Sequence, residues 1–363
     1  MPAADAPLQT LFLPFSQGLL RWPTGPVLFL RAREGWPLRE HATPAQLLCA
    51  QSFRPFADDL ESAGWTVRDE DATQADATRY ALVLVLPPRQ REEARALLAH
   101  ALAKLAPGGL LVACQSNNEG ARSGESDLKQ LAGLAGQLTK HHCRVYWTTA
   151  PDDARDEALA RRWAALDAPR AVLEGRFISR PGVFAWDRID PASSLLAEQL
   201  PADLSGHGAD LGGGYGYLSA EVLARCPRVT ALDVYEAEAR ALTLARANLQ
   251  PRAGQVQLDY RWHDVTAGLA ASYDFIVSNP PFHTPAREDR PDIGQRFIAV
   301  AAQALRPGGR LFVVANRHLP YERVLNDSFG EVRVAAERDG FKAIVARKAA
   351  AQRGAGPRKA GRA

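Results

Sequence analysis

The stretch that decides the fold is Asp210-Leu211-Gly212-Gly213-Gly214-Tyr215-Gly216. It completes a short apolar run that ends at Leu211, and a helical pattern follows over residues 219–224. Glycine has no Cβ, so such a loop adopts positive φ angles readily and lets the backbone approach a ligand closely. A glycine-rich turn between a strand and a helix is typical of the ligand-binding edge of a parallel α/β sheet.

The glycine spacing indicates which ligand the loop suits. A dinucleotide fingerprint of the form G-x-G-x-x-G needs a glycine at position 217, where the chain has Tyr217. The observed spacing places Gly212, Gly214 and Gly216 after Asp210. This version of the loop suits S-adenosylmethionine, which has no pyrophosphate to accommodate. We therefore predict that these four residues bind that cofactor.

Two further acids are candidates for contacts with an adenosine. Asp233 lies 23 residues after Asp210, at the predicted end of the second strand. An acid there can accept hydrogen bonds from both ribose hydroxyls, although Asp233 is also a candidate N-cap of the helix that follows. Asp264 follows the third predicted strand and is a candidate acceptor for the adenine amine, with a surface loop carboxylate as the alternative.

The C-terminal half shows the alternation of strands and helices that predicts a parallel sheet with crossover helices. The predicted strands are 209–211, 229–234, 256–260, 273–277 and 310–315, and the predicted helices are 219–224, 236–249 and 293–305. Two last strands, 332–337 and 341–346, flank Arg338-Asp339-Gly340, which is a hairpin signal. The pattern predicts an α/β domain with a seven-stranded sheet that ends in an antiparallel hairpin.

The N-terminal half repeats part of this pattern, and a length of 363 residues itself suggests two domains. The repeated features are a strand at 80–86, Pro87-Pro88, a helix at 91–105, Pro107-Gly108-Gly109 and a strand at 110–114. The C-terminal half has Pro280-Pro281 and Pro307-Gly308-Gly309 in the same order. We interpret this as an internal duplication with a boundary between Ala164 and Arg180, although such units are also common in unrelated α/β proteins.

The two halves differ where chemistry is expected. The N-terminal half has Leu86 and Arg89 at the positions of Asn279 and Phe282, and no glycine-rich loop follows an early strand. We therefore predict two tandem Rossmann-like domains, of which the N-terminal one, residues 1–170, is degenerate. The catalytic domain is predicted over residues 178–348.

The loop Ser278-Asn279-Pro280-Pro281-Phe282-His283 follows the fourth predicted strand and contains the candidate catalytic residues Asn279, Pro280 and Phe282. Exocyclic amines of nucleobases are poor nucleophiles because the nitrogen lone pair is delocalised into the ring. The Asn279 side-chain oxygen and the Pro280 carbonyl are predicted to accept hydrogen bonds from one such amine, and consecutive prolines fix their backbone. Phe282 is a candidate for stacking on a flipped-out base, with a place in the core as the alternative.

The distribution of charge is more informative than its total. Lys plus Arg number 44 and Asp plus Glu number 41, for a formal net charge of +3. Residues 347–363 contain six basic residues and no acid, which leaves 38 basic and 41 acidic residues before them. We predict that residues 349–363 form a basic, disordered tail that neutralises phosphates without reading sequence.

Other function classes are disfavoured. The cysteines at 49, 114, 143 and 226 form no Cys-x-x-Cys pair, and His141-His142-Cys143 has no second ligand pair, so no metal site is expected. Separated cysteines fit a reducing cytoplasm. No stretch approaches the ~20 apolar residues of a membrane span, and the start of the chain, with Asp5, does not resemble a signal peptide.

These residues resemble the class I S-adenosylmethionine-dependent methyltransferases that modify planar amines, and more narrowly the bacterial ribosomal RNA guanine-N2 methyltransferases. The C type, which acts on the small ribosomal subunit, is the most similar, and the G type, which acts on the large one, is its sibling. The resemblance covers residues 178–348 and rests on 181–184 with Asp187 and Asp190, 210–216, 278–283, Ala315-Asn316, Leu319-Pro320-Tyr321 and Gly340-Phe341-Lys342. Gly213 stands where many members have cysteine, and we expect no loss of function from it.

The resemblance implies a cytoplasmic, monomeric enzyme that methylates the N2 amine of a guanine in ribosomal RNA, with 16S rRNA favoured over 23S rRNA. Its partner would be ribosomal RNA or an assembled ribosomal subunit, and its N-terminal domain would position RNA or support the fold. Two alternatives remain at this point. One is N-methylation of another planar amine, either adenine N6 or a protein glutamine. The other is a non-catalytic RNA-binding assembly factor.

Overall fold

The computed structural model describes residues 5–149, 155–281 and 291–350, and within them the chain forms two α/β domains joined by a short hairpin. The N-terminal strands are β1 Val27–Leu30, β2 Leu47–Ala50, β3 Thr66–Arg68, β4 Tyr80–Val85, β5 Leu105–Ser116, β6 Gly136–Lys140 and β7 Cys143–Thr148. The N-terminal helices are α1 Ala6–Ser16, α2 Trp36–His41, α3 Arg54–Ser62, α4 Glu70–Ala75, α5 Arg91–Ala103, α6 Ala121–Ala132 and α7 Glu157–Ala164.

The connecting hairpin and the C-terminal domain follow. The hairpin pairs β8 Arg170–Val172 with β9 Phe177–Ser179. The C-terminal strands are β10 Ser205–Leu211, β11 Arg228–Glu236, β12 Gln257–Trp262, β13 Tyr273–Ser278, β14 Leu305–Asn316, β15 Glu331–Arg338 and β16 Phe341–Arg347. The helices are α8 Pro191–Ala197, α9 Tyr217–Arg225, α10 Ala239–Leu249, α11 Pro291–Ala304 and α12 Glu322–Ser328.

The two sheets have the same topology, which confirms the predicted pair of Rossmann-like domains. Their strand orders are β3-β2-β1-β4-β5-β7-β6 and β12-β11-β10-β13-β14-β16-β15, so that β10 corresponds to β1 and each later strand to its counterpart. In both, the first five strands are parallel and the last two form an antiparallel hairpin against the fifth. The predicted seven-stranded sheet ending in a hairpin is therefore confirmed, and it occurs twice.

Helices cover both faces of the catalytic sheet, which is why its central strands are almost entirely apolar. On one face, Ile276 of β13 packs against Phe297 and Ile298 of α11. On the other face, Val277 packs with Leu195 of α8 and other residues of α8 and α9. Because parallel strands all end at the same edge, the polar turns after β10, β11, β12 and β13 lie together there.

The strands predicted to begin at 110 and 310 begin earlier in the structure and contain the Pro-Gly-Gly segments. α5 ends at Ala103 and α11 at Ala304, and each following strand begins before its Pro-Gly-Gly. Leu305 already pairs with Tyr273, the register then shifts, and Arg310 pairs with Phe275. The same bulge occurs after Leu105 in the N-terminal sheet, which adds a detailed likeness between the two domains.

A second correction concerns the end of β11. The sequence predicted a strand over 229–234 and a helix from 236, but β11 continues to Glu236 and α10 begins at Ala239. The reason is pairing on both sides, since Tyr235 pairs with Leu211 of β10 and Glu236 with Trp262 of β12. None of the described helices is long and apolar enough to cross a membrane.

Candidate active site

The glycine loop turns sharply across the end of β11. The Gly212 and Gly213 N–H groups donate to the Tyr235 carbonyl at 2.9 and 3.0 Å. Gly212 has φ +77° and Gly214 has φ +55°, a region that a side chain disfavours. A Cβ atom added at Gly214 would meet no described atom within 4 Å, so this part of the loop faces open space. Gly216 caps the start of α9 and packs against Leu249.

Asp210 is fully buried beneath this loop. The Ser219 hydroxyl donates to its Oδ2 at 2.6 Å, while its Oδ1 has no hydrogen-bond partner among the described residues. Burial raises the pKa of the Asp210 carboxyl to about 7, and the nearby Glu236 carboxylate adds to the effect. An unpartnered buried acceptor at a ligand-binding edge is consistent with the predicted role in cofactor binding, and that role remains a prediction.

Glu236 is the acid that lies at the end of β11, and it was not among the residues predicted from the sequence. Its Oε2 accepts from the Gly214 N–H at 2.7 Å and its Oε1 accepts from the Glu238 N–H at 2.9 Å. Burial raises the pKa of the Glu236 carboxyl above its usual range. The carboxylate therefore joins the glycine loop to the turn after β11, at the edge where the polar turns meet. The signal in the sequence was the second acid three residues after Asp233.

Asp233 lies inside β11 and has structural partners of its own. Its carboxylate accepts from the Tyr273 hydroxyl at 2.7 Å and lies 2.8 Å from His207 Nε2. It is nearly inaccessible, and it is not the N-cap of α10, a position that Glu238 occupies. The prediction that Asp233 ends its strand is wrong, because β11 continues three residues further. Its carboxylate is engaged with neighbouring strands within the sheet.

Asp264 follows β12 at the same edge of the sheet. Its Oδ1 accepts from the Thr266 N–H at 2.8 Å and caps a short 3₁₀ turn over Val265–Ala267. The side chain is half-buried. The predicted position of Asp264, in a turn after the third strand, is confirmed. The contact with an adenine amine remains a prediction.

Asn279 is held in one orientation by two groups of α8. Its Nδ2 donates to Asp190 Oδ2 and to Ser193 Oγ, both at 2.9 Å. Both amide hydrogens therefore have acceptors, and Oδ1 remains available to accept from a ligand. Asp190 is the N-cap of α8, because its carboxylate also accepts from the Ser193 N–H at 2.8 Å. These contacts were not predicted from the sequence, although Asp190-Pro191 is a recognisable helix start.

The turn that carries Asn279 is fixed to the glycine loop. The Ser278 hydroxyl donates to the Leu211 carbonyl at 2.7 Å, which ties the end of β13 to the end of β10. Pro280 is buried. Phe282 and His283 lie outside the described residues. Asn279 therefore lies beside Gly212 at the base of the cleft.

One cleft brings part of this set together, because Gly212, Gly214 and Asn279 line it. The other candidates within the described residues do not line it, namely Asp210, Gly216, Asp233, Glu236, Asp264 and Pro280. It is lined by Gly212, Gly213, Gly214, Tyr215, Tyr217, Leu218, Asp190, Ser193, Asn279, Phe184 and Ala185. Phe184 is 62% exposed, although it is a large aromatic side chain. An open glycine turn, buried acids and a constrained amide fit S-adenosylmethionine, which combines a charged amino-acid part with an adenosine. The part of the chain that the structure describes contains no cluster of three metal-ligating side chains.

The family model for the methyltransferase small domain matches residues 174–345, the region of this cleft. Together with the seven-stranded sheet and its terminal hairpin, this match defines the protein as a class I S-adenosylmethionine-dependent methyltransferase.

Curated relatives narrow the class. A ribosomal RNA small subunit methyltransferase C of Pseudomonas paraeruginosa is 37% identical over 287 residues, covering 76% of this chain and 82% of that protein. A P. aeruginosa protein of the same name is 34% identical over 331 residues, covering 85% and 95%. The chain belongs to the ribosomal RNA small subunit methyltransferase C family.

A solved structure extends the likeness over both domains. The T. thermophilus 16S rRNA N2 G1207 methyltransferase, in complex with AdoMet and guanosine, superposes with a TM-score of 0.78 at 25% identity. The match covers 95% of this chain and 92% of that one. Both the described cleft and the N-terminal domain therefore have counterparts in a protein of this family.

Proposed function

We propose that this methyltransferase transfers a methyl group to the exocyclic N2 amine of a guanine in 16S rRNA. The names of its curated relatives and the guanosine bound to its T. thermophilus relative support the substrate. The observation that carries the proposal is the orientation of Asn279, whose Nδ2 is fully used by Asp190 and Ser193. Its Oδ1 is therefore the atom presented to a planar amine.

The chain's own residues would raise the nucleophilicity of that amine. S-adenosylmethionine, when bound, supplies an electrophilic methyl group on a sulfonium. The Asn279 Oδ1 and the Pro280 carbonyl accept hydrogen bonds from the two hydrogens of the amine and localise its lone pair. The bound donor would transfer its methyl group to N2 and leave as S-adenosylhomocysteine, and water would take the proton that the methylated amine loses.

The acceptors are effective because they are fixed before the substrate arrives. Asp190 and Ser193 hold the Asn279 amide, and Ser278 holds the turn against β10. Pro280 restricts the backbone on which its own carbonyl is carried. Phe184, exposed in the same cleft, offers a ring on which the extruded base can stack.

For the cofactor, we assign the loop Asp210–Gly216 to the amino-acid part, with Gly212, Gly214 and Gly216 as the close-approach positions. Glu236 replaces Asp233 as the acceptor for the ribose hydroxyls, because its carboxylate lies at the sheet edge and contacts the Gly214 N–H. Asp264 is assigned to the adenine amine.

The N-terminal domain is proposed to be catalytically inactive, with the domains at residues 1–170 and 178–348 and a basic tail at 349–363. Arg31 follows β1 as Gly212 follows β10, and it keeps a positive φ of 56°. Its guanidinium donates a hydrogen bond to Glu93 Oε1 of α5 at 2.5 Å. A long, paired side chain thus stands where the C-terminal domain has Gly212.

The substrate proposal is tested with small ribosomal subunits from cells that lack the modification, alongside naked 16S rRNA and large subunits. Labelled cofactor and mass-spectrometric mapping identify the methylated nucleotide. We expect one guanine of 16S rRNA to gain one methyl group on N2. Labelling of 23S rRNA, of adenine or of protein would overturn the proposal.

A further inference from the structure

The N-terminal domain contacts the catalytic domain at the turn that carries Glu236. The Arg54 N–H donates to the Ala237 carbonyl at 2.8 Å, and the Ala239 N–H donates to the Ser52 carbonyl at 2.8 Å. Phe53 and Glu238 lie between these bonds as an antiparallel bridge. The turn directly after Glu236 is therefore fixed on one side by a backbone segment of the other domain, Ser52–Arg54.

Trp262 strengthens this contact and extends it to the second adenosine loop. Its Nε1 lies 2.9 Å from the Ser52 carbonyl and 2.8 Å from the Ala237 carbonyl, so one N–H is shared between the two domains. The Arg54 guanidinium lies over the indole ring, 4.7 Å from its centroid. Trp262 ends β12 and comes two residues before Asp264, the candidate adenine acceptor.

A buried ionic cluster fixes the start of α10, directly after the turn at Ala237 and Glu238. Arg240, in the first turn of α10, is 3% exposed and pairs with Glu93 of α5 and with Asp167. Its Nη2 also donates to the Pro181 carbonyl at 3.1 Å. A buried charge whose partner is removed is strongly destabilised, so α10 has one favourable position relative to α5.

Glu93 also contacts the loop that leads to Phe184. A Cβ atom added at Gly182 would lie 1.9 Å from Glu93 Oε2, so the loop passes directly against this carboxylate. Arg180, at the start of the loop, pairs with Asp167 and with Asp71 of α4. The start of α10 and the Arg180–Phe184 loop are thus anchored on acids from outside the C-terminal sheet. Phe184 lines the cleft, and Glu236, just before α10, contacts Gly214, which also lines it.

We propose that the segment Ser52–Arg54 and Glu93 of the N-terminal domain are positioning elements of the cofactor site. They hold the turn that carries Glu236, and Trp262 transmits the same constraint to the Asp264 loop. This inference rests on the assignment of Glu236 made above. A degenerate domain would then contribute to cofactor affinity without touching the cofactor, because small displacements of binding groups weaken binding strongly.

Two full-length variants test it, each with a matched control. Glu93→Gln removes the charge at nearly constant shape, and Trp262→Phe removes the shared N–H but keeps an aromatic ring. Asp127→Asn is the control for the loss of a buried acid, since Asp127 pairs only with Arg91 and Arg95 of its own domain among the described residues. Trp163→Phe is the control for the loss of an indole, since Trp163 stacks beneath Arg95.

Binding of S-adenosylmethionine and S-adenosylhomocysteine is measured by calorimetry, and melting temperature separately. We expect Glu93→Gln and Trp262→Phe each to raise Kd for both ligands about fivefold or more, with kcat at saturating cofactor within about twofold of the parent. Asp127→Asn and Trp163→Phe should lower the melting temperature and leave Kd unchanged.

The outcomes distinguish a failure of this inference from a failure of the assignment of Glu236 as the ribose acceptor. If Glu236→Gln weakens cofactor binding but Glu93→Gln and Trp262→Phe change only the melting temperature, the N-terminal domain is structural and the inference is overturned. If Glu236→Gln itself leaves Kd unchanged, the assignment of the ribose acceptor fails first.

Discussion

Gln51 and Glu236 occupy equivalent positions in the two domains and make equivalent hydrogen bonds. In the N-terminal sheet, Ala50 of β2 pairs with Leu30, the last residue of β1, and Gln51 follows Ala50. In the C-terminal sheet, Tyr235 of β11 pairs with Leu211, the last residue of β10, and Glu236 follows Tyr235. Oε1 of each side chain accepts from the backbone N–H two residues further on at 2.9 Å. The catalytic domain has a carboxylate there, whereas the N-terminal domain has a neutral amide.

The second hydrogen bond of each side chain differs between the amide of Gln51 and the carboxylate of Glu236. Glu236 Oε2 accepts from the Gly214 N–H, whereas Gln51 Nε2 donates to the Ala32 carbonyl at 2.6 Å. In the N-terminal domain, the Gln51 amide thus links the turn after β1 to the turn after β2 and uses both of its polar atoms. In the catalytic domain the carboxylate keeps acceptor capacity for a diol. The proposed absence of cofactor binding in the N-terminal domain therefore agrees with the neutral amide of Gln51 as well as with the missing glycines.

Glu236→Gln should weaken S-adenosylmethionine binding by about 10- to 150-fold, because hydrogen bonds to a charged acceptor contribute about 1.5–3 kcal/mol. Calorimetric titration measures this. Asp233→Asn is the comparison, and it should lower the melting temperature, since Asp233 is paired with Tyr273 and His207, while Kd changes less than about threefold. A large rise in Kd for Asp233→Asn with little change for Glu236→Gln would indicate that Asp233 is the ribose acceptor.

Asn279→Ala should lower kcat at least ~100-fold while Kd for the cofactor changes little, because the amide acts on the acceptor amine. Single-turnover methyl transfer and calorimetry measure the two quantities. Ser193→Ala removes one of the two acceptors that orient the amide and should cost about 3- to 10-fold in kcat. Equal losses of transfer and cofactor binding in Asn279→Ala would contradict the assigned role.

Gly213→Ala should destabilise the protein by about 1–3 kcal/mol through overpacking. A Cβ at this position would lie 2.6 Å from Cγ1 of the buried Val234, so the space beside Gly213 is already filled. Urea unfolding measures the change. The double variant Gly213→Ala, Val234→Ala should be more stable than the sum of the single effects predicts. Strict additivity would mean that Val234 is not the obstacle.

Asp210→Asn should become more stable relative to the parent protein as pH rises from about 4 to about 7. Burial raises the pKa of Asp210 to about 7 in the folded state, so the unfolded chain ionises first and the parent loses stability over that range. The difference in free energy of unfolding should grow by up to about 4 kcal/mol and level off above pH 7. A difference that is independent of pH would contradict the raised pKa.

Deletion of residues 349–363 should weaken binding to ribosomal RNA and flatten its salt dependence. The segment contains Arg353, Arg358, Lys359 and Arg362. Each neutralised phosphate contributes about 0.7–0.9 to the slope of log K against log salt, so the slope should fall by up to about 3. A full-length variant with the four residues changed to Gln is the control for length. The methylated guanine should stay the same, because phosphate contacts carry no sequence information.

Much of the catalytic fold was predictable because its signals are local. The glycine spacing after Asp210, the apolar runs of β10, β13 and β14 and the hairpin turn at Arg338-Asp339-Gly340 each lie within one short segment. The Asn279 turn was found for the same reason. The sequence did not decide which acid is the candidate ribose acceptor, because three acids, Asp233, Glu236 and Glu238, lie within six residues. Which of them reaches the edge depends on how far β11 pairs with β10 and β12.

The sequence by itself determined the class of fold and the duplication, and it supplied the candidate cofactor loop and the candidate residue for contact with the methyl-accepting amine. Backbone preferences and side-chain chemistry at short spacing specify these. Only the tertiary structure decided what surrounds them. Glu93 and Arg240 are 147 residues apart, and Ser52 meets Trp262 across 210 residues. Such contacts leave no periodicity in the sequence, because the packing of the two domains against each other brings them together. That packing places a domain without a glycine-rich loop against the turn after β11 of the other domain.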